Sequence, residues 1–195
     1  FEAAGETYAA THPESTFIPG PVQDLTANKL LGAAKLFPGE LDVLVGGPPC
    51  QAYSVYNHQR GTHDERANLF REYLRIVEDL QPKWVVMENV TGITSIDGGE
   101  VVETIRREFA RLNYRVEFKT LKAEEFGVPQ ERRRVFFIGT RTDAPILFPQ
   151  PTHGPGLKKL TTIWDAIGDL PFLENGQDLG VADYAAEARG WYQKY

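Results

Sequence analysis

The chain has 195 residues, enough for one domain with a full hydrophobic core. Its apolar share of 42% and charged share of 25% are those of an ordinary globular protein, and no apolar run reaches the roughly 18 residues that a membrane helix needs. The net charge of −6 excludes a surface that grips nucleic acid over its whole extent, although a local basic cleft remains compatible with it.

In chain order, the Ala-rich residues 3–12 predict a helix closed by Pro13. Residues 22–36 predict a second helix, broken at Pro38-Gly39. Residues 41–45, Leu-Asp-Val-Leu-Val, predict a buried strand that runs into Gly46-Gly47-Pro48-Pro49 and then Cys50, the only cysteine of the chain. A single cysteine forms no internal disulfide and fits a reducing cytoplasm. Residues 53–67 are polar and aromatic without a period and read as a loop. Phe70, Tyr73, Leu74, Val77 and Leu80 then follow at spacings of three and four, an amphipathic helix over 68–80 that Pro82 ends.

Residues 84–87, Trp-Val-Val-Met, predict a second buried strand, followed at once by Glu88-Asn89. After Gly98-Gly99, Val101, Val102, Ile105, Phe109 and Leu112 mark another helix, with Asn113 as its cap. Tyr114, Val116 and Phe118 alternate with charged residues at strand period, and residues 135–138 form a last apolar strand. Between these two lies Phe126-Gly127-Val128-Pro129-Gln130-Glu131-Arg132-Arg133-Arg134. A short helix is expected over 162–167. Strands alternating with helices predict an α/β fold with a mostly parallel sheet.

Ligands of open α/β sheets bind beyond the carboxyl ends of strands. Cys50 follows one such end and Glu88 another. The arginines enter the last strand at its amino end, so an antiparallel last strand would bring all three groups to one rim. Each signal alone has an ordinary explanation: a lone cysteine is usually a small buried hydrophobe, a glutamate a solvated strand end, and a charge run a solvated face.

Together and in this order, the residues resemble the C5-cytosine methyltransferase family. Gly46-Gly47-Pro48-Pro49-Cys50-Gln51 resembles its Pro-Cys loop, Glu88-Asn89-Val90 its Glu-Asn-Val motif, and Gln130-x-Arg132-x-Arg134 its Gln-x-Arg-x-Arg motif. Arg66, Leu69 and Asn113-Tyr114 match weaker blocks, and the resemblance runs from about residue 3 to residue 171. It implies the Rossmann-like fold of S-adenosylmethionine-dependent methyltransferases, mostly parallel with one antiparallel strand and incomplete at both ends.

The resemblance also implies a DNA cytosine-5-methyltransferase of bacterial type, acting in restriction–modification on double-stranded DNA with S-adenosylmethionine as cofactor. C5 of cytosine is too electron-poor to attack a methyl sulfonium until a thiolate adds at C6, a task for Cys50. Glu88 would meet N3 and the exocyclic amine, and Arg134 with Arg132 would hold O2. The target base must be flipped out of the stack to reach them. Pro49, Gln51, Ser54, Asn89 and Gln130 would contact substrate, and Val22, Pro48 and Leu69 the cofactor. No metal and no membrane are implied, and the full-length enzyme is expected to be a cytoplasmic monomer.

There are departures from the family pattern. The Gly-rich Phe-x-Gly-x-Gly turn for the methionine end of the cofactor is not in this sequence, and the ribose-binding acid falls upstream of residue 1. Gly20-Pro21-Val22 resembles a block that usually begins Gly-Asp, so Pro21 stands where an Asp meets adenine, with Val22 left to pack on the ring. Thr161-Thr162-Ile163-Trp164-Asp165-Ala166-Ile167 resembles the run toward a target-recognition domain. Residues 1–150 are therefore expected to be a catalytic domain without its first cofactor motif, and 151–195 a linker, the fragment itself being inactive. The rivals are a tRNA cytosine-5-methyltransferase of the same family and a non-catalytic nucleic-acid-binding module. Cys50-Gln51-Ala52-Tyr53-Ser54 resembles the DNA-acting enzymes, and the reactive residues a binding module would have lost are all present.

Overall fold

The computed structural model describes residues 2–49 and 65–194. Cys50, Gln51 and Ser54 lie outside the described residues, as does most of the stretch read as a loop over 53–67. The chain divides into two units, a larger one of Phe1–Lys119 with Val135–Leu147 and a smaller one of Thr120–Arg134 with Phe148–Tyr195.

In the larger unit, helix α1 is Glu2–Thr11 and ends ahead of Pro13, as the composition predicts. The single helix expected over 22–36 is instead two pieces. A 3-10 turn, Val22–Asp24, precedes helix α2, Ala27–Ala34. Between them Thr26 is extended, and its side chain accepts from the Lys29 N–H, so the hydroxyl starts a new helix where apolar spacing alone suggested a continuous one. Helix α2 closes on Lys35, which takes the left-handed conformation with φ 56°.

Strand β1 is Val43–Gly46 and strand β2 is Trp84–Val90. They pair in parallel, Val43 opposite Trp84 through Gly46 opposite Met87. Strand β2 runs three residues beyond the predicted 84–87, so Glu88 and Asn89 belong to the strand rather than to a following loop. Helix α3, Glu65–Leu80, links β1 to β2 and begins three residues before the predicted start at 68. Gln81 turns with φ 50° ahead of Pro82.

Two 3-10 turns, Thr91–Thr94 and Ile96–Gly99, lead into helix α4, Glu100–Arg111. Asn113 ends it in the left-handed conformation, φ 63°. The Asn113 N–H donates to the Ala110 carbonyl and the Tyr114 N–H to that of Phe109, the two bonds of a Schellman closure.

Strand β3, Arg115–Lys122, and strand β4, Arg133–Thr140, complete a four-stranded sheet of order β1-β2-β4-β3. The end of β4 meets the start of β2, where the Arg141 N–H and the Thr140 hydroxyl both donate to the Lys83 carbonyl. It also meets the start of β3, where the Arg115 guanidinium donates to the Thr142 and Ala144 carbonyls. Strand β4 is therefore the antiparallel member of an otherwise parallel set, as expected.

One core holds the larger unit together. Phe70, Tyr73 and Val77 of α3 and Val101, Val102, Ile105 and Phe109 of α4 pack on Val85, Met87, Val116, Val135 and Phe137 of the sheet. Gly139 admits this packing, since a Cβ there would lie 2.7 Å from both Val85 Cγ2 and Val116 Cγ2. A second cluster joins α2 to the other flank of α3 through Leu31, Ile76 and Leu80. The buried Tyr114 hydroxyl donates to the Pro82 carbonyl, and burial pushes its phenol up to about 12, with Arg141 pulling the other way.

The smaller unit is built on a 3-10 turn, Ala123–Phe126, that ends at Gly127 with φ 88°. Helix α5, Ile163–Ile167, has a capping box in which Thr162 and Asp165 exchange bonds. The Thr162 hydroxyl and N–H hold the Asp165 carboxyl below its ordinary range. Residues 185 and 186 donate to the carbonyl of buried Asp169.

Candidate functional site

The Asn89 side chain fastens the turn that leads to Cys50 to β2. Burial along β2 alternates, so Val85, Met87 and Asn89 share the inner face while Val86 and Glu88 share the other. Asn89, only 4% exposed, donates from Nδ2 to the carbonyl of buried Pro48 at 2.8 Å. Its Oδ1 accepts from the Val90 N–H at 3.0 Å. The polar residue that ends an apolar run is thus a buried clamp with both ends of its carboxamide used.

The two glycines of the turn face different neighbours. A Cβ on Gly46 would lie 2.5 Å from Tyr73 Cε2, so the ring of Tyr73 occupies the space that a side chain at 46 would take. A Cβ on Gly47 would lie 3.4 Å from Glu88 Oε2, so the half-buried Glu88 carboxylate lies against the turn. Neither glycine has a positive φ. The use of Gly46 is close approach and not unusual backbone torsion. The Tyr73 hydroxyl lies 3.3 Å from the Leu44 carbonyl of β1 and 3.1 Å from the Val86 carbonyl of β2. Burial raises its phenol far above the ordinary tyrosine range.

Gln130, Arg132 and Arg134 belong to the smaller unit. There the Arg132 carbonyl accepts from the Ala123 N–H at 2.9 Å, and the Arg132 N–H lies 3.3 Å from a Glu124 carboxylate oxygen. The Gln130 N–H donates to the Val128 carbonyl at 2.8 Å. The Arg134 guanidinium donates to the Arg133 carbonyl. The preceding bend is braced by two residues that no motif marks. The His153 ring lies where a Cβ on Gly127 would be, and the Tyr192 hydroxyl donates to the Gly127 carbonyl at 2.8 Å.

Val22 is half-buried against the cluster of Leu31, Ile76 and Leu80, and the carbonyls of Val22 and Leu25 both accept from Arg75 of α3. Leu69 is a half-buried residue of α3. Beside the Val22 turn, α1 and the segment after it enclose an open hollow of about 810 Å³, lined by Gly5, Glu6, Ala9, Phe17, Pro19, Gly20 and Pro21. Its walls are mostly apolar. Among the described residues no group of three or more His, Cys, Asp and Glu could hold a metal ion. No described helix is long and apolar enough to cross a membrane.

The family model for C-5 cytosine-specific DNA methylases matches residues 2–180. The Type II methyltransferase M.AquIA of Picosynechococcus sp. is 38% identical over 179 residues, 82% of this chain and 72% of that protein. Type II methyltransferase M1.HphI of Haemophilus parahaemolyticus is 36% identical over 183 residues, 93% of this chain but 48% of that protein. Among solved structures, a prophage-encoded DNA modification methyltransferase from E. coli superposes with a TM-score of 0.68 at 27% identity, covering 89% of this chain and 47% of that one. The chain thus spans about half the length of several relatives that it matches almost throughout. With its Pro-Pro-Cys turn, Glu-Asn-Val strand and Gln-x-Arg-x-Arg segment in family order and a family model matching nearly end to end, the chain belongs to the C-5 cytosine-specific DNA methylase family.

Proposed function

We propose that the chain is part of the catalytic domain of a DNA cytosine-5-methyltransferase that serves Type II restriction–modification in the cytoplasm, as a monomer when full length. The bond from Asn89 to Pro48 carries the reading, because it ties the turn ahead of Cys50 to the strand that bears Glu88. A nucleophile and a carboxyl group acting on one pyrimidine need such a fixed offset.

In this reading the Cys50 thiolate adds to C6 of a flipped cytosine, and the C5–C6 π electrons move to C5 and into the ring. Glu88 donates a hydrogen bond at N3 and accepts from the exocyclic amine, stabilising the charge that the addition places on the ring. Arg134, with Arg132, holds O2. S-adenosylmethionine, when bound, supplies an electrophilic methyl group to C5. Loss of the C5 proton to solvent base then lets the Cys50 sulfur leave C6, restoring both the aromatic ring and the thiolate. Pro49, Gln51, Ser54, Asn89 and Gln130 shape the substrate side. On the cofactor side, the hollow beside α1 is large and apolar enough for a purine, with Val22, Pro48 and Leu69 as further contacts and Pro21 offering no carboxylate to the adenine amine.

The test is covalent trapping of the full-length protein on duplex DNA carrying 5-fluorocytosine, whose C5 fluorine blocks the final elimination. Trapping should require S-adenosylmethionine and disappear in Cys50→Ala. Trapping by Cys50→Ala, or methyl transfer confined to tRNA, would overturn the reading. The 195-residue chain by itself should transfer little or no methyl, since it spans under half of relatives such as M1.HphI.

A further inference from the structure

Tyr73 is unusual among the core side chains. Its ring fills the place of a side chain at Gly46, the last residue of β1 before the Pro-Pro turn. Its hydroxyl reaches a carbonyl on each of two neighbouring parallel strands, Leu44 on β1 and Val86 on β2. A hydroxyl has one proton, so it bonds one carbonyl at a time and is shared between them. A ring meant only to fill volume would not need that hydroxyl, and a strand meant only to pair would not need glycine at 46. The register puts Gly46 opposite Met87, one residue before Glu88. Tyr73 therefore acts on the strand ends where the turn and the Glu88 carboxylate meet.

We propose that Tyr73 is a positioning residue for the reaction: seated in the space that Gly46 leaves, its hydroxyl sets the separation of the carboxyl ends of β1 and β2, and so the offset between the turn leading to Cys50 and the Glu88 carboxylate. The kinetic consequence rests on the methyltransferase reading above; the structural consequence does not. Loss of the hydroxyl with the ring kept should loosen residues 43–49 locally. A small displacement of a nucleophile from its attack geometry lowers turnover without weakening binding.

The experiment compares the full-length wild type with Tyr73→Phe, Gly46→Ala and the double variant Gly46→Ala/Tyr73→Leu. In Tyr73→Phe, kcat should fall about tenfold while KM for DNA and for S-adenosylmethionine stays within about twofold. Amide exchange in a peptide covering 43–49 should quicken about fivefold, with peptides of α4 unchanged. Gly46→Ala should lose both stability and turnover. The double variant, which removes the clash but supplies no hydroxyl, should regain stability and not turnover. Tyr73→Phe matching the wild type in both kcat and exchange, or recovery of kcat along with stability in the double variant, overturns the proposal and leaves Tyr73 as core filling. A wild type without transfer to any nucleic acid would overturn the functional reading alone, and the exchange comparison would still decide the role of Tyr73.

Discussion

Replacing Asn89 with Ala removes one hydrogen bond whose loss cannot be made good by water. The Pro48 carbonyl is buried and takes its 2.8 Å bond from Asn89 Nδ2, so truncation strands a buried acceptor at a cost of about 1–3 kcal/mol. The Val90 N–H also loses its acceptor, but Val90 is 41% exposed and water can take over, so this adds about 0.5 kcal/mol at most. The total is about 2 kcal/mol, which for a chain of this length lowers the melting temperature by roughly 4–8 °C.

Asn89→Asp separates the donor from the acceptor. It keeps an acceptor for Val90 but sets a carboxylate against the Pro48 carbonyl. At neutral pH it should be at least as harmful as Ala. The charged form is disfavoured in the folded state, so the folded pKa of the new Asp lies above its unfolded value of about 3.9. The penalty is therefore present above that folded pKa and fades as pH falls through it, when the protonated carboxyl can donate. Thermal melts followed by circular dichroism from neutral pH down to about pH 4 give the comparison. Asn89→Ala melting within about 1 °C of the wild type, or Asp outperforming Ala at neutral pH, would refute the clamp.

Gly139→Ala should cost about 1–3 kcal/mol, because the new methyl would lie 2.7 Å from core methyls of Val85 and Val116; Val116→Ala in the same chain should recover part of this in urea melts. Tyr73 and Tyr114 both have phenols raised above the unfolded value of 10.0, Tyr114 to about 12. The Tyr114 contribution is complete below pH 10 and is lost as pH rises toward 12, and the loss at Tyr73 runs to still higher pH, so tyrosinate absorbance should rise in two steps, the second coinciding with unfolding. Thr162→Ala breaks the capping box of α5 and should cost about 1 kcal/mol. It should also let the Asp165 carboxyl return toward its ordinary range, which proton-detected titration of that side chain would show.

The regular part of this fold was legible because its signals are local. Helix α4 could be read from Val101, Val102, Ile105 and Phe109, all of which prove buried, and its end from Asn113, which has the left-handed torsion a Schellman closure requires. The antiparallel last strand followed from the resemblance to the family, and the order of Cys50, Glu88 and the arginines agreed with it only on the condition that the strand ran that way. The break at Thr26 was not legible, because apolar spacing continues across it and the hydroxyl that starts α2 is a single local bond. The extent of β2 was missed for a related reason. Glu88 and Asn89 look like the polar end of a strand, and only a partner 41 positions away, the Pro48 carbonyl, makes a buried Asn tolerable.

The glycines show most plainly where sequence reasoning stops. Gly46-Gly47 next to two prolines reads as a stiff turn that exposes backbone, and neither glycine uses a left-handed torsion. At Gly46 what matters is the absence of a side chain, and the neighbour that takes its place lies on another element. Gly46 yields to a ring from α3, with a would-be Cβ distance of 2.5 Å, whereas a Cβ on Gly47 would make only an ordinary 3.4 Å contact with the carboxylate of β2. These neighbours are brought in by strand register, which pairs Gly46 with Met87, and by the turn of α3 that points Tyr73 under the sheet. A motif of the form Gly-Gly-Pro-Pro-Cys therefore encodes more than a stiff platform for a thiol. At Gly46 it encodes a vacancy that the rest of the chain must fill from the correct side, and a register slip of one residue would exchange the faces of β1 and leave that vacancy unmatched.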